Sequence, residues 1–252
     1  MWNLNGQSAV VTGGTKGIGK ATVLEFLELG ARVLFTARNK QDVTVLEKEL
    51  QDKGFEVNGI VSDVSVKEDR QKIVDWVQNN WQTLDILVNN AGINIRKKAL
   101  DYSEEEFQKV LSINLVAPFE LSRALHPFLE ASKAGTVINV ASVAAMQDVG
   151  TGTPYAMAKS GLLQQTRSLA VEWAQDGIRV NAVSPWFTET PLTEGFLKQD
   201  ERMNGILGRT PLKRVAKAEE MASIIAFLAM EKSSYITGQN IIADGGMSIN
   251  AI

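Results

Sequence analysis

Short apolar runs and amphipathic helical stretches alternate along almost the whole chain, and this alternation limits the possible folds more than any other feature. Ser8-Ala9-Val10-Val11-Thr12 is a run of strand length, and the amphipathic helix after it continues through Leu29 and stops at Gly30. Arg32 to Thr36 reads as a second strand, Asn39 to Lys53 as a second helix, and Glu56 to Val61 as a third strand. A helix from about Val66 to Trp81 and a fourth strand, Asp85 to Asn89, come next. Ser103-Glu104-Glu105-Glu106 is a capping box that opens a long helix running past Pro118. Gly135 to Ala141 is a fifth strand. After it, Thr153 suits an N-cap and Pro154 the first position of a helix bearing an apolar stripe through Leu162, Leu163, Leu169, Ala170 and Trp173. Ile178 to Val183, a helix from about Glu219 to Met230, and Asn240 to Ala243 close the chain. Only the Pro-punctuated stretch from Pro185 to about Val215 lacks a clear period.

Strand-helix-strand crossovers pack back on their sheet with one hand. The pattern therefore predicts a single doubly wound α/β domain over residues 1–252, with a parallel seven-stranded sheet, helices on both faces, and a substrate-loop insertion at about 185–215. A chain of 252 residues is long enough for one such core. Ligands of these sheets bind at the carboxyl ends of the strands, so the segments after strands one, two, four, five and six should form one cleft.

The turn after the first strand is Gly13-Gly14-Thr15-Lys16-Gly17-Ile18-Gly19. Small residues there let the backbone approach a pyrophosphate at a helix N-terminus, where free N–H groups and the dipole favour an anion. The spacing departs from the usual G-x-G-x-x-G, and glycine-rich turns also arise for purely structural reasons. The second strand ends Phe35-Thr36-Ala37-Arg38-Asn39, with no acid to accept bonds from a ribose 2′-hydroxyl. Arg38 and Lys16 could instead hold a 2′-phosphate, or could be solvated surface cations. A well-made charge-assisted bond nets about 1.5–3 kcal/mol, which would give NADP on the order of a ten- to thousandfold preference over NAD. Asp63 and Val64 follow the third strand at the adenine side, and Asn90, Ala91 and Gly92 follow the fourth, beside the cofactor ribose.

Tyr155 and Lys159 stand four residues apart on one helix, where side chains meet. A phenol titrates near about 10; an ammonium beside it favours the phenolate, and lowering it to about 7 takes roughly 4 kcal/mol. Taken alone, the pair fits a half-buried helix equally well.

Composition removes other chemistries. No cysteine is present, which excludes disulfides, thiolate metal sites and a Cys nucleophile. His126 is the only histidine, so there is no multi-His metal site, and Ser142 has no evident base for an esterase triad; His126 itself reads as structural. Glu104-Glu105-Glu106 complements a helix dipole and is not read as a metal site. A net charge of −3 gives no reason to expect nucleic acid or an anionic membrane as partner. The N-terminal residues lack the basic and apolar segments of a signal peptide, and the apolar run from Ile224 to Met230 is too short to span a bilayer, so the expectation is a cytoplasmic protein.

Together, Thr12-Gly13-Gly14-Thr15-Lys16-Gly17-Ile18-Gly19, Asn89-Asn90-Ala91-Gly92, Asn114, Ser142, Tyr155-x-x-x-Lys159, Arg179-Val180-Asn181 and Asp244-Gly245-Gly246 resemble the classical short-chain dehydrogenase/reductases over essentially the whole chain. Val88-Asn89-Asn90-Ala91-Gly92-Ile93, His126-Pro127-Phe128-Leu129 and Glu172-Trp173-Ala174 carry a nearer likeness to the tropinone reductase group, with 3-oxoacyl-carrier-protein reductases as neighbours. The resemblance implies a Rossmann-type oxidoreductase that uses NADP(H) on a carbonyl or secondary alcohol. In it Tyr155 is the general acid or base, Lys159 holds the nicotinamide ribose and lowers the Tyr155 pKa, and Ser142 donates to the substrate oxygen. Asn114, otherwise a capping or kink-filling residue, helps hold a water that links Lys159 to solvent. One departure is Pro185-Trp186, where the family has Pro-Gly; it bears on Pro185, Trp186, Phe187, Thr188 and Thr190, the last being the first choice for a carboxamide or pyrophosphate contact.

Candidate substrate walls are Asn94, Ile95, Val143, Met146, Gln147, Trp186, Phe187, Leu192 and Phe196. Most are apolar and none is a basic cluster, which leads us to expect a small neutral or hydrophobic ketone or alcohol rather than a phosphorylated or carboxylated one. Arg96, Lys97 and Lys98 could be a basic rim for an acidic carrier protein, or a solvated loop. The resemblance also implies a homotetramer through the helices after strands four and five. Phe119, Leu121, Leu125, Leu162, Leu163 and Leu169 would suit that contact, or the core. A non-catalytic dinucleotide-binding regulator is the reading from another class, and the four filled catalytic positions weigh against it.

Overall fold

Strand β1 (Ser8–Thr12) is buried along its whole length, with β2 (Arg32–Ala37) on one side and β4 (Ile86–Asn89) on the other. The computed structural model describes residues 2–250. Beyond β2 lies β3 (Val57–Val61); beyond β4 lie β5 (Thr136–Val140), β6 (Arg179–Pro185) and β7 (Asn240–Ala243). The order is β3-β2-β1-β4-β5-β6-β7 and every pairing is parallel. The direction of winding reverses between β1 and β4, which opens a crevice at their carboxyl ends.

Successive residues of a strand face opposite layers. Val11, Phe35 and Val88 pack in a core with α1 (Gly17–Glu28), α2 (Lys40–Asp52) and α9 (Ala218–Ala229). Val10, Leu34 and Leu87 pack in a second core with α3 (Lys67–Asn80), α5 (Ala117–Ser132) and α6 (Thr153–Glu172). Burial on both faces is why the central strands read as unbroken apolar runs. A buried polar chain pins the centre: the Asn89 side-chain amide donates to Ser122 Oγ (3.0 Å) and Asn139 Oδ1 (2.9 Å), and Asn139 donates to Thr166 Oγ1 (2.9 Å).

Four expectations change. First, Thr153 is not the N-cap of α6 but its first residue. Gly152 caps the helix at φ +98°, and a Cβ there would stand 2.2 Å from Tyr102 Oη. Second, the long helix is interrupted. α4 (Glu104–Leu111), opened by the expected Ser103–Glu106 capping box, widens into a π turn at Ser112–Val116 before α5 begins. Pro118 has no N–H to give the Asn114 carbonyl, and the wider turn accommodates that missing bond. Third, the 185–215 segment contains α7 (Pro191–Leu197) and α8 (Asp200–Arg209). α7 buries no residue and α8 only Ile206, so neither leaves an apolar period in the sequence. Fourth, of the six apolar residues considered for a subunit contact, Leu121, Leu125, Leu162, Leu163 and Leu169 lie in the core; only Phe119 is exposed, at 38%.

Candidate active site

Two turns are clamped together at the crevice. Thr12 Oγ1 accepts the backbone N–H groups of Asn90 and Ala91, each at 3.0 Å, and the Asn90 side chain donates to the carbonyls of Thr12 (2.8 Å) and Gly13 (3.2 Å). Gly13 and Gly17 adopt φ of +68° and +55°, a region costly for other residues. A Cβ at Gly19 would stand 2.2 Å from the Gly13 carbonyl oxygen, so Gly19 brings α1 against the turn and does not itself face the cleft. α1 starts at Lys16 with no side-chain cap, leaving its first N–H groups for an anion. The cavity in front of them, about 860 Å³, is bounded here by Gly13, Thr15, Lys16, Gly17 and Ile18. A cradle of bare glycines and free donors fits a dinucleotide pyrophosphate.

The cavity runs one way past Arg38, Asp63 and Val64, and the other past Asn90, Ala91 and Gly92 to Ser142, Tyr155 and Lys159. At its first end an unexpected acid appears. Asp42, in the first turn of α2, pairs with Lys16 at 2.6 Å, so Lys16 is not free as expected. The end of β2 carries no acid, but the helix after it supplies one. The Asn39 N-cap, whose side chain accepts the Asp42 N–H, fixes this first turn.

At the other end, Lys159 is buried and donates from Nζ to the Val140 carbonyl at 2.7 Å; Nζ lies 5.6 Å from the centre of the Tyr155 ring. Burial lowers its pKa to about 8. The Tyr155 phenol departs from expectation: burial of its hydroxyl raises its pKa above the ordinary value, while a hydrogen bond with Ser142 and the Arg96 guanidinium pull it down. Ser142 Oγ also accepts the Ala144 N–H at 3.1 Å, which orients it at the end of β5. Asn114 does not line the cavity. Its amide donates to the Val110 (2.8 Å) and Ile93 (2.9 Å) carbonyls. A Cβ at Gly92 would stand 2.8 Å from Asn114 Oδ1 and 3.7 Å from Lys159 Nζ, so the bare glycine leaves a gap between the two.

The outer wall holds Asn94, Val143, Val149, Trp186, Phe187 and Leu192, with Pro185, Thr188 and Thr190 alongside. Gln147 lies elsewhere, its amide 3.1 Å from Met247 Sδ. Trp186 Nε1 donates to Thr210 Oγ1 at 3.1 Å, and its ring meets Phe187 edge-on at 4.7 Å. Phe187 stacks on Phe196 at 5.2 Å, which ties the β6 loop to α7. The wall holds one cation: Arg96, offered as a rim or solvated-loop residue, is half-buried in the cavity, 5.3 Å from the centre of Phe196. Lys97 is paired with Glu106 (2.6 Å) and Lys98 is exposed, so the three do not act as one basic rim. His126 is structural, 2.9 Å from Asp176 and packed on Trp173. Arg179 and Asn181 bind carbonyls of the α9–β7 region, away from the cavity.

Residues 13–248 match the family model described as enoyl-(acyl carrier protein) reductase. A tropinone reductase homologue of Arabidopsis thaliana is 42% identical over 250 residues, covering 99% of this chain and 95% of the relative. Among solved structures, a gluconate 5-dehydrogenase from Burkholderia cenocepacia in complex with NADP and tartrate superposes with a TM-score of 0.95 at 28% identity, covering 99% of this chain and 98% of the other. The Pseudomonas aeruginosa RhlG/NADP active-site complex superposes with a TM-score of 0.92 at 30% identity, covering 98% of each chain.

Proposed function

The chain belongs to the short-chain dehydrogenase/reductase family, and from that premise we propose that it moves a hydride between NADP(H) and a carbonyl or secondary alcohol, in the manner of its tropinone reductase-like relatives. The observation that carries this reading is one cavity joining the glycine cradle of α1 to Ser142, Tyr155 and Lys159. The dinucleotide supplies the hydride. Gly13, Gly17 and the first turn of α1 would hold its pyrophosphate, Arg38 would face the 2′-phosphate, and Lys16 would join Arg38 only by giving up its pair with Asp42. Tyr155 gives its proton to the forming alkoxide, and Ser142 holds the same oxygen by a hydrogen bond. Lys159 fixes the ribose and draws the departing charge of Tyr155. Asn114, across the gap at Gly92, holds a water through which the proton is replaced.

The test is NADPH consumption over a panel of carbonyl compounds, repeated with NADH and with Tyr155→Phe. Loss of the acid should lower kcat by about 10²–10⁴-fold. A Tyr155→Phe enzyme that keeps most of its activity would remove the proton-donor role. If the wild type binds NADPH but oxidises it with no carbonyl, the regulator reading takes over. The carrier-protein alternative is weaker because Lys97 is already paired and Arg96 turns inward; faster turnover of an acetoacetyl thioester than of simple ketones would restore it. The Val143, Val149, Trp186 and Leu192 surfaces favour a small substrate with a hydrocarbon body over a densely hydroxylated one.

A further inference from the structure

Arg96 is out of place in a wall built for a hydrocarbon. It lines the same cavity as Tyr155 and is half-buried; burial pulls its pKa down, and the charged or ionisable neighbours that also shift it are the Tyr155 phenol, a second cation, Arg202, and the Tyr102 phenol. No carboxylate is among them. Among the described residues no hydrogen bond or ion pair engages its guanidinium, whereas Lys97 pairs with Glu106, Arg214 with Glu220, and Arg179 binds backbone carbonyls. Arg202 lies 4.2 Å from the centre of the same Phe196 ring. Two like charges thus share one aromatic side chain, Phe196, which stacks on the cavity-lining Phe187, an arrangement that repels itself and is relieved by an anion.

We propose that the substrate carries a carboxylate, held by Arg96 while Tyr155 and Ser142 take its carbonyl oxygen. A guanidinium is a planar fork that matches a carboxylate with two parallel bonds. Arg96 stands at the Tyr155 end of the cavity, far along it from the glycine cradle and Arg38, so its partner is the substrate and not a dinucleotide phosphate. Arg202 is exposed and adds attraction at the entrance without a fixed contact. A single enclosed guanidinium suits a carboxylate better than a phosphate, which draws on several donors. The substrate class is therefore a small oxo acid, or the matching hydroxy acid, with an apolar body against Trp186 and Leu192. This replaces the uncharged substrate expected from the sequence, and it rests on the hydride-transfer reading above.

The test compares short oxo acids with their methyl esters, matched in chain length, using NADPH. In the wild type the acids should exceed the esters by about 10²-fold in kcat/KM, the worth of one good charge-assisted pair. Arg96→Gln should bring that ratio close to unity, mainly through KM for the acid, and Arg96→Lys should restore part of it. Lys98→Gln, which removes an exposed cation from the same loop, should leave the ratio in place. Esters turned over as well as acids by the wild type would overturn the assignment and leave the hydride-transfer reading standing. An equal fall in Arg96→Gln and Lys98→Gln would overturn it too, since a diffuse field would then be responsible. If no carbonyl is turned over, the underlying reading fails, and calorimetric titration of the NADP+-loaded protein with the oxo acids decides on Arg96 separately. Binding by the wild type that is lost in Arg96→Gln supports it, and any other pattern refutes it.

Discussion

Protonating Lys159 in the folded chain works against its own burial. Its pKa falls from 10.5 to about 8, so between those values the unfolded chain binds the proton that the folded chain has released. Stability contributed by this group is lowest below pH 8 and recovers as pH rises towards 10.5, by about 3 kcal/mol in full. Denaturant unfolding without added dinucleotide should therefore show the wild type gaining on Lys159→Met over that window, and Lys159→Met starting as the more stable protein at neutral pH. A difference that stays flat with pH would refute this account. Tyr155 moves the other way: burial keeps its phenol protonated at neutral pH, the form that the proposed donor role requires. The spacing of Tyr155 and Lys159 was legible in the sequence because helical periodicity is local. The direction of the phenol shift was not, because it depends on how deeply the fold encloses the hydroxyl. Asp42 and Arg96 were missed for a related reason: each was seen, or passed over, as a surface charge, and only the packing of α2 and of the loop after β4 turns it into the cavity.

The elements that carry the site are joined by a few close approaches. Gly19 is one of them, with the Gly13 carbonyl 2.2 Å and Asn90 Nδ2 2.4 Å from where a Cβ would sit. Gly19→Ala must push α1 away from the clamped turns. We expect a loss of roughly 1–3 kcal/mol in stability and a fall in NADPH affinity larger than that of any exposed glycine change such as Gly54→Ala. Fluorescence titration and thermal unfolding check both. The seven strands and their parallel sense were readable from strand-helix alternation because each buried strand leaves an apolar run; their order in the sheet was not read. α7 and α8 were not readable because they bury almost nothing, and the break in the α4–α5 helix was legible only in the alternative reading of Asn114 as a kink-filling residue.

At the scale of the molecule, the outer faces of α5 and α6 leave Phe119 38%, Met157 49% and Val171 80% exposed, with Val116 in the π turn at 47%. These are the residues through which the tetramer expected from the resemblance would have to pack, in place of the leucines that fill the core. Val171→Glu should shift the mass seen by light scattering towards smaller species without altering the fold, and an unchanged mass would remove this surface from the assembly. No described helix is long and apolar enough to cross a membrane. The proposed proton donor and its neighbours sit on β5 and α6, deep in the sheet, whereas α7 and α8 lie outside both cores and are tied down chiefly through Trp186, Phe187 and Thr210. Such a division lets a lineage rewrite its palate without touching its engine: transplanting the two short helices between relatives should redirect taste for substrate while leaving the reaction as it was.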